Sequence, residues 1–184
     1  MNFILIRRIY RNRDKIEMKI KNIFLIIFLG VFLGCSSYGP VSSQEFSQLV
    51  QTPLPSNSGK IVLSGTGSWF PNAQGFNDTR SSFLAPPIQP IPGIVVITDK
   101  ELFFQQWNKK EKKYKIMLRI GFEDIESLSL DKYGLNRRLV IQKKDYSFHT
   151  FDFTRGKGQF INGSKTEEAY SLIKQATQKN GGNK

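Results

Sequence analysis

The chain has one cysteine, one histidine and two tryptophans among 184 residues, and its 15 acidic side chains are outnumbered by 27 basic ones. A zinc site takes about four His, Cys or carboxylate ligands, at least three of them from the protein. A lone His149 and a lone Cys35 therefore give no reason to expect a metal. One cysteine closes no intramolecular disulfide, so stability has to come from an apolar core. Also missing is an unbroken apolar run of the roughly 20 residues that cross a bilayer. The main apolar stretch is the twelve residues 23–34, a length that suits the core of a cleavable signal peptide. No nucleophile-and-base spacing accompanies His149. Glu123 and Asp124 would alternate faces on a strand, and Asp152 has no evident partner, so neither catalysis nor a cofactor is expected. Removing residues 1–34 leaves 150 and lowers the net charge from +12 to +7. A moderate positive charge on an exported chain favours anionic lipid head groups or acidic partners over nucleic acid.

Directly before the apolar run, Met18, Lys19, Ile20, Lys21 and Asn22 make a short basic segment of the kind a secretory signal needs. Met18 reads as the start of translation. Residues 1–17, with Arg7, Arg8, Arg11, Arg13 and Lys15 among them, read as an over-extension of the reading frame. After the run, Phe32-Leu33-Gly34-Cys35 resembles the lipobox of bacterial lipoproteins. The resemblance implies that Cys35 receives a diacylglycerol group, with palmitate among its acyl chains, and becomes the mature N-terminus. Two or more chains, at about 0.8 kcal/mol per buried methylene, make such an anchor stable. Ser36 stands where lipoproteins kept at the inner membrane commonly carry Asp, which implies the outer membrane, facing the periplasm.

Residues 36–59 are rich in Ser, Pro, Gln and Gly and read as a flexible tether following the lipidated Cys35. Within them, residues 44–51 place Phe46, Leu49 and Val50 at helical spacing with Ser43 as a cap, enough for a helical turn or two docked on the domain. The folded domain is expected over residues 60–180. Its β-prone runs are 61–70, 93–98, 101–107, 114–121, 125–133, 138–143 and 146–153. In 114–121, Ile116, Leu118 and Ile120 alternate with Lys115, Met117 and Arg119, and residues 155–158 close the sheet. Between the first two runs lies a loop, residues 71–92, with five prolines; loops beyond about 15 residues usually have a function or fold over the surface. A helix follows the last strand. Ser164-Lys165-Thr166-Glu167 fits a capping box, and Ala169, Leu172, Ile173 and Ala176 make one apolar stripe ending near Gly181-Gly182. The expected fold class is mainly β, a seven-stranded antiparallel barrel or sandwich capped by one C-terminal helix.

Two segments carry a family resemblance. Gly93-Ile94-Val95-Val96-Ile97-Thr98-Asp99-Lys100-Glu101-Leu102-Phe103-Phe104 and Ile120-Gly121-Phe122-Glu123-Asp124-Ile125-Glu126-Ser127-Leu128 resemble the signatures of GRAM-type, pleckstrin-homology-like domains. The resemblance spans residues 60–178 and implies a barrel whose terminal helix plugs one open end. It further implies that basic residues around the strand loops can meet phosphorylated head groups.

The densest positive cluster is Lys109, Lys110, Lys112 and Lys113, with Lys115 and Arg119 following, and these six are the candidate anion-binding residues. A charged hairpin also blunts aggregation of the strand edge beside it. Tyr146, Phe148, Phe151, Phe153, Trp107 and Phe160 are expected in the core and on strand faces. The sequence thus points to a membrane-anchored envelope lipoprotein that acts as a non-catalytic protein-interaction module through the 71–92 loop or an exposed strand edge. The alternative is a binder of anionic phospholipid or glycolipid head groups through the basic hairpin. Envelope proteins and anionic lipids are its expected partners.

Overall fold

The computed structural model describes residues 38–41, 44–75, 88–156 and 160–181. Cys35, the signal segment and most of the 71–92 loop lie outside the described residues. No helix among them is long and apolar enough to cross a membrane.

Eight strands form in chain order: β1 (Ile61–Pro71), β2 (Ile91–Thr98), β3 (Glu101–Asn108), β4 (Lys113–Gly121), β5 (Ile125–Tyr133), β6 (Asn136–Lys143), β7 (Phe148–Arg155) and the short β8 (Phe160–Ile161). All pairings are antiparallel, in the spatial order β4-β3-β2-β1-β7-β6-β5, with β8 added to β7. Helix α1 (Phe46–Gln51) precedes the sheet and α2 (Gly163–Gly181) follows it. Seven strands in this order with one terminal helix are the arrangement that the resemblance implies.

Strand β1 joins the two halves. Its residues 61–69 pair with β2 and residues 67–71 with β7, so Gly67 is hydrogen-bonded territory on both sides. A side chain there would run into the Asp152 carbonyl oxygen and come within 2.8 Å of Val95. Glycine permits that approach. The two edge strands, β4 and β5, are joined by a single 3-10 turn, Phe122–Asp124. The Phe122 amide donates to the Lys100 carbonyl at 3.0 Å and the Lys144 amide to the Asp124 carbonyl at 2.9 Å, which ties this corner to two neighbouring turns. Glu123 and Asp124 are thus turn residues rather than strand residues.

Alternation along the strands gives two apolar layers. The inner one gathers Val95, Ile97, Leu102, Phe104, Ile120, Leu139, Ile141, Phe151 and Phe153, closed by Ala169 and Ile173 of α2. The outer one holds Ile94, Val96, Phe103 and Tyr114. A bulge at Met117 corrects the regular alternation expected for residues 114–121. Phe104 pairs with Leu118 but Gln105 pairs with Ile116, so the extra residue turns Ile116 to the outer layer. The cap of α2 also differs from expectation. Asn162 takes the role assigned to Ser164, its Oδ1 accepting from the Lys165 amide at 3.3 Å, while the Thr166 hydroxyl donates to the Asn162 carbonyl at 3.0 Å. The helix therefore begins before Ser164, and Glu167 reaches Arg137 at 2.8 Å instead of turning back to the cap.

Candidate functional site

The β3–β4 hairpin is built around Asn108. Its Oδ1 accepts from the amides of Lys110 (3.0 Å) and Glu111 (3.1 Å), and its Nδ2 donates to Glu111 at 2.9 Å. Lys112 completes the turn in the left-handed region, φ +49°. This geometry pushes Lys109, Lys110, Lys112 and Lys113 outward, and all four are exposed. Glu111 binds Lys113 at 2.8 Å and also Lys115, and hydrogen bonds first from Lys113 and then from Lys115 hold its carboxyl below the usual range. Lys109, Lys110 and Lys112 have no acidic partner among the described residues. A cleft of about 290 Å³ opens beside them, lined by Gln106, Trp107, Asn108, Lys109, Lys110, Lys115 and Met117.

The six cations expected together do not all meet. The Met117 bulge puts Lys115 across from Gln106, whereas Arg119 lies across from Phe103 on the opposite face. Arg119 is engaged as well, with its Nε and Nη2 donating to Glu101 at 3.0 and 2.5 Å, and Glu101 raises its pKa. The structure thus narrows the candidate site to the hairpin tip.

The helical turn or two expected within residues 44–51 does dock on the domain, and the packing that covers the outer layer extends beyond it. Residues 44–59 pack on it instead of hanging as a flexible tether. Val50 is 1% exposed, and Val41, Phe46, Leu49 and Leu54 pack around Ile94, Val96, Phe103 and Tyr114. Three polar contacts fix the segment. Gln105 Nε2 donates to the Val50 carbonyl at 2.9 Å, the Tyr114 hydroxyl donates to the Tyr38 carbonyl at 2.8 Å, and the Lys60 amide donates to Asp99 at 3.0 Å. Burial pushes the Tyr114 phenol up to about 12. At its first described residues the segment meets the hairpin, because any side chain on Gly39 would sit 2.7 Å from the Trp107 indole, and Gly39 has φ +71°. The usable signal was the Phe46, Leu49 and Val50 spacing.

The rest of the outside is closed by the start of the β1–β2 loop. Thr150 Oγ1 donates to the Ala73 carbonyl at 2.6 Å and accepts from the Gly75 amide at 2.9 Å. Beneath it Asp152, 2% exposed, accepts from the Ser68 amide at 3.1 Å and lies 3.5 Å from Arg138, whose guanidinium stacks 4.1 Å from the Phe70 ring centroid. Burial raises the Asp152 pKa to about 6 against the pull of Arg138. His149 accepts from the Trp69 indole at 3.3 Å, and burial lowers its pKa. Among the described residues no three His, Cys, Asp or Glu side chains gather as a metal site.

The sequence matches no family model and no curated protein. Solved structures that it resembles include the Vav1 exchange factor with its PH and C1 domains, 8% identical over 66% of this chain and 26% of that one, TM-score 0.44. The hSac2 domain of the human phosphoinositide phosphatase Sac2 is 14% identical over 74% of this chain and 84% of its own, TM-score 0.43. The Slm1 PH domain in complex with D-myo-inositol 4-phosphate is 12% identical over 64% of this chain and 95% of its own, TM-score 0.40. This chain spans about a quarter of the Vav1 structure, 26%. Likenesses this distant add nothing to what the strand order and the terminal helix already establish. What stands is the fold itself, a mainly β, antiparallel sheet capped by one C-terminal helix.

Proposed function

We propose that this domain is a non-catalytic module that binds anionic lipid head groups through the tip of its β3–β4 hairpin. It does so on a chain anchored through Cys35 in the bacterial cell envelope, on the periplasmic face of the outer membrane. The observation that carries this reading is the state of charge at the tip. Glu111 is occupied by Lys113 and Lys115, so Lys109, Lys110 and Lys112 extend beside an open cleft with their charge uncompensated among the described residues. Near an anionic surface each such side chain contributes about 1 kcal/mol, so the three together contribute about 3 kcal/mol, roughly a hundredfold in partitioning. The test is sedimentation of residues 36–184 with phosphatidylglycerol vesicles. Replacing Lys109, Lys110 and Lys112 by Ala lowers partitioning by about two orders of magnitude at low salt, and rising salt weakens the native protein in the same direction. Equal partitioning of the two proteins removes the reading.

A protein partner is the second reading. It is favoured by a cleft of about 460 Å³ lined by Arg137 and Arg155 together with Leu135 and Phe160, apolar side chains 92% and 71% exposed.

A further inference from the structure

The segment expected to give the domain its reach is consumed by the domain itself. Residues 38–41 and 44–59 lie on the outer layer through a buried Val50, the edge-on packing of Phe46 against Tyr114 and the hydrogen bonds of Gln105 and Tyr114 to their backbone. At its start, Gly39 sits against Trp107, which lines the same cleft as Lys109 and Lys110. Only two residues, Ser36 and Ser37, separate Cys35 from the buried Tyr38. An extended chain covers at most about 3.6 Å per residue, so these three peptide steps span about 11 Å. A free tether of 24 residues would have a root-mean-square span of about 27 Å and could extend much farther.

We propose that residues 38–59 are a docked strap that holds the domain against the bilayer carrying its own anchor, with the Trp107 end of the hairpin turned to that surface. The anchor and the lysine tip then act on one membrane, and the head groups within reach are those of the same leaflet. This rests on the anchored, head-group-binding reading above and specifies which membrane it concerns. Held this close, the tip meets lipid at a high effective concentration, and weak lysine contacts suffice.

Trp107 reports the arrangement directly, because Trp69 is the only other tryptophan. The full-length lipidated chain carrying Trp69→Phe is reconstituted into vesicles whose lipids bear a head-group spin label, and Trp107 quenching is measured. Two variants are compared with it. One carries a 20-residue Gly/Ser insertion between Ser37 and Tyr38, which leaves the strap docked, and the other is Val50→Asp, which releases it. On zwitterionic vesicles the parent is quenched and both variants lose quenching. On phosphatidylglycerol vesicles the insertion variant regains quenching when the lysines bind head groups. If it stays unquenched there while the parent is quenched on both lipids, the strap stands and the lysine reading falls. Equal quenching of parent and insertion variant on zwitterionic vesicles overturns the strap, as does a parent chain whose intact mass shows no acyl groups at Cys35.

Discussion

Asp152 makes the stability of this domain fall as the solution becomes less acidic. Its carboxyl is 2% exposed on the outer side of β7, with one backbone donor from Ser68 and a guanidinium at 3.5 Å, too long for a strong charge-assisted bond. Burial dominates, and the pKa rises from 3.8 to about 6. In the unfolded chain the carboxyl ionises near 3.8, so between the two values the folded state binds the extra proton. The stability owed to Asp152 is fully present below the unfolded value and is lost as pH rises through 6. At 1.36 kcal/mol per pH unit the whole difference is about 3 kcal/mol, of which about 2 kcal/mol falls between pH 4 and pH 7, because the unfolded carboxyl is already largely ionised at pH 4. Exposed carboxylates such as Asp145, held low by Lys143 and Ser147, tilt the whole-protein profile the other way. The Asp152→Asn variant isolates the buried group. Urea unfolding of both proteins from pH 4 to pH 7 should show the native protein losing about 2 kcal/mol relative to the variant, apart from a constant offset for the altered contact with Arg138. Two parallel profiles would refute the reasoning.

The two candidate caps of α2 separate cleanly. Asn162→Ala should cost about 1 kcal/mol in unfolding free energy, whereas Ser164→Ala should cost only a few tenths, and the reverse order in thermal or urea melts would restore the capping box. Tyr114→Phe removes the donor to the Tyr38 carbonyl and should destabilise the domain by about 1 to 2 kcal/mol. In the native protein one tyrosine should resist ionisation until about pH 12 in an alkaline absorbance titration, and the variant should lack it. A titration with all phenols ionising near 10 would contradict the burial of Tyr114.

Much of the fold could be read because its signals are local. Strand runs divided by Asp99-Lys100, Gly134 and Lys144-Asp145 show in the order of residues, and so does the apolar stripe of Ala169, Leu172, Ile173 and Ala176. The two-residue β8 went unseen because Phe160 and Ile161 have no alternation to display. The bulge at Met117 was invisible for a different reason. Nothing in Lys-Ile-Met-Leu-Arg marks an extra residue, and only the pairing of Gln105 with Ile116 reveals it. The strap shows the same limit at longer range. Its Ser, Pro and Gln composition is that of a linker, while the contacts that dock it are made to partners on β3 and β4 more than 50 residues away. At the candidate site the lysines were legible, but their pairing was not. Which of them Glu111 neutralises depends on how Asn108 folds the turn, and Arg119 is claimed by Glu101 on the adjacent strand.

Closing β1 between β2 and β7 has a consequence for how the domain comes together in time. The hairpins β2–β3, β3–β4, β5–β6 and β6–β7 each join neighbours in sequence, whereas β1 meets β7 across about eighty residues and the strap meets Tyr114 across 76. Contacts of such separation carry the largest loop-closure entropy and follow the local ones. The residues that leave the ribosome first are therefore the last to find their places. Until β7 has been made, β1 has one of its two neighbours missing, and until β4 has been made the strap has only an unfinished surface to rest on.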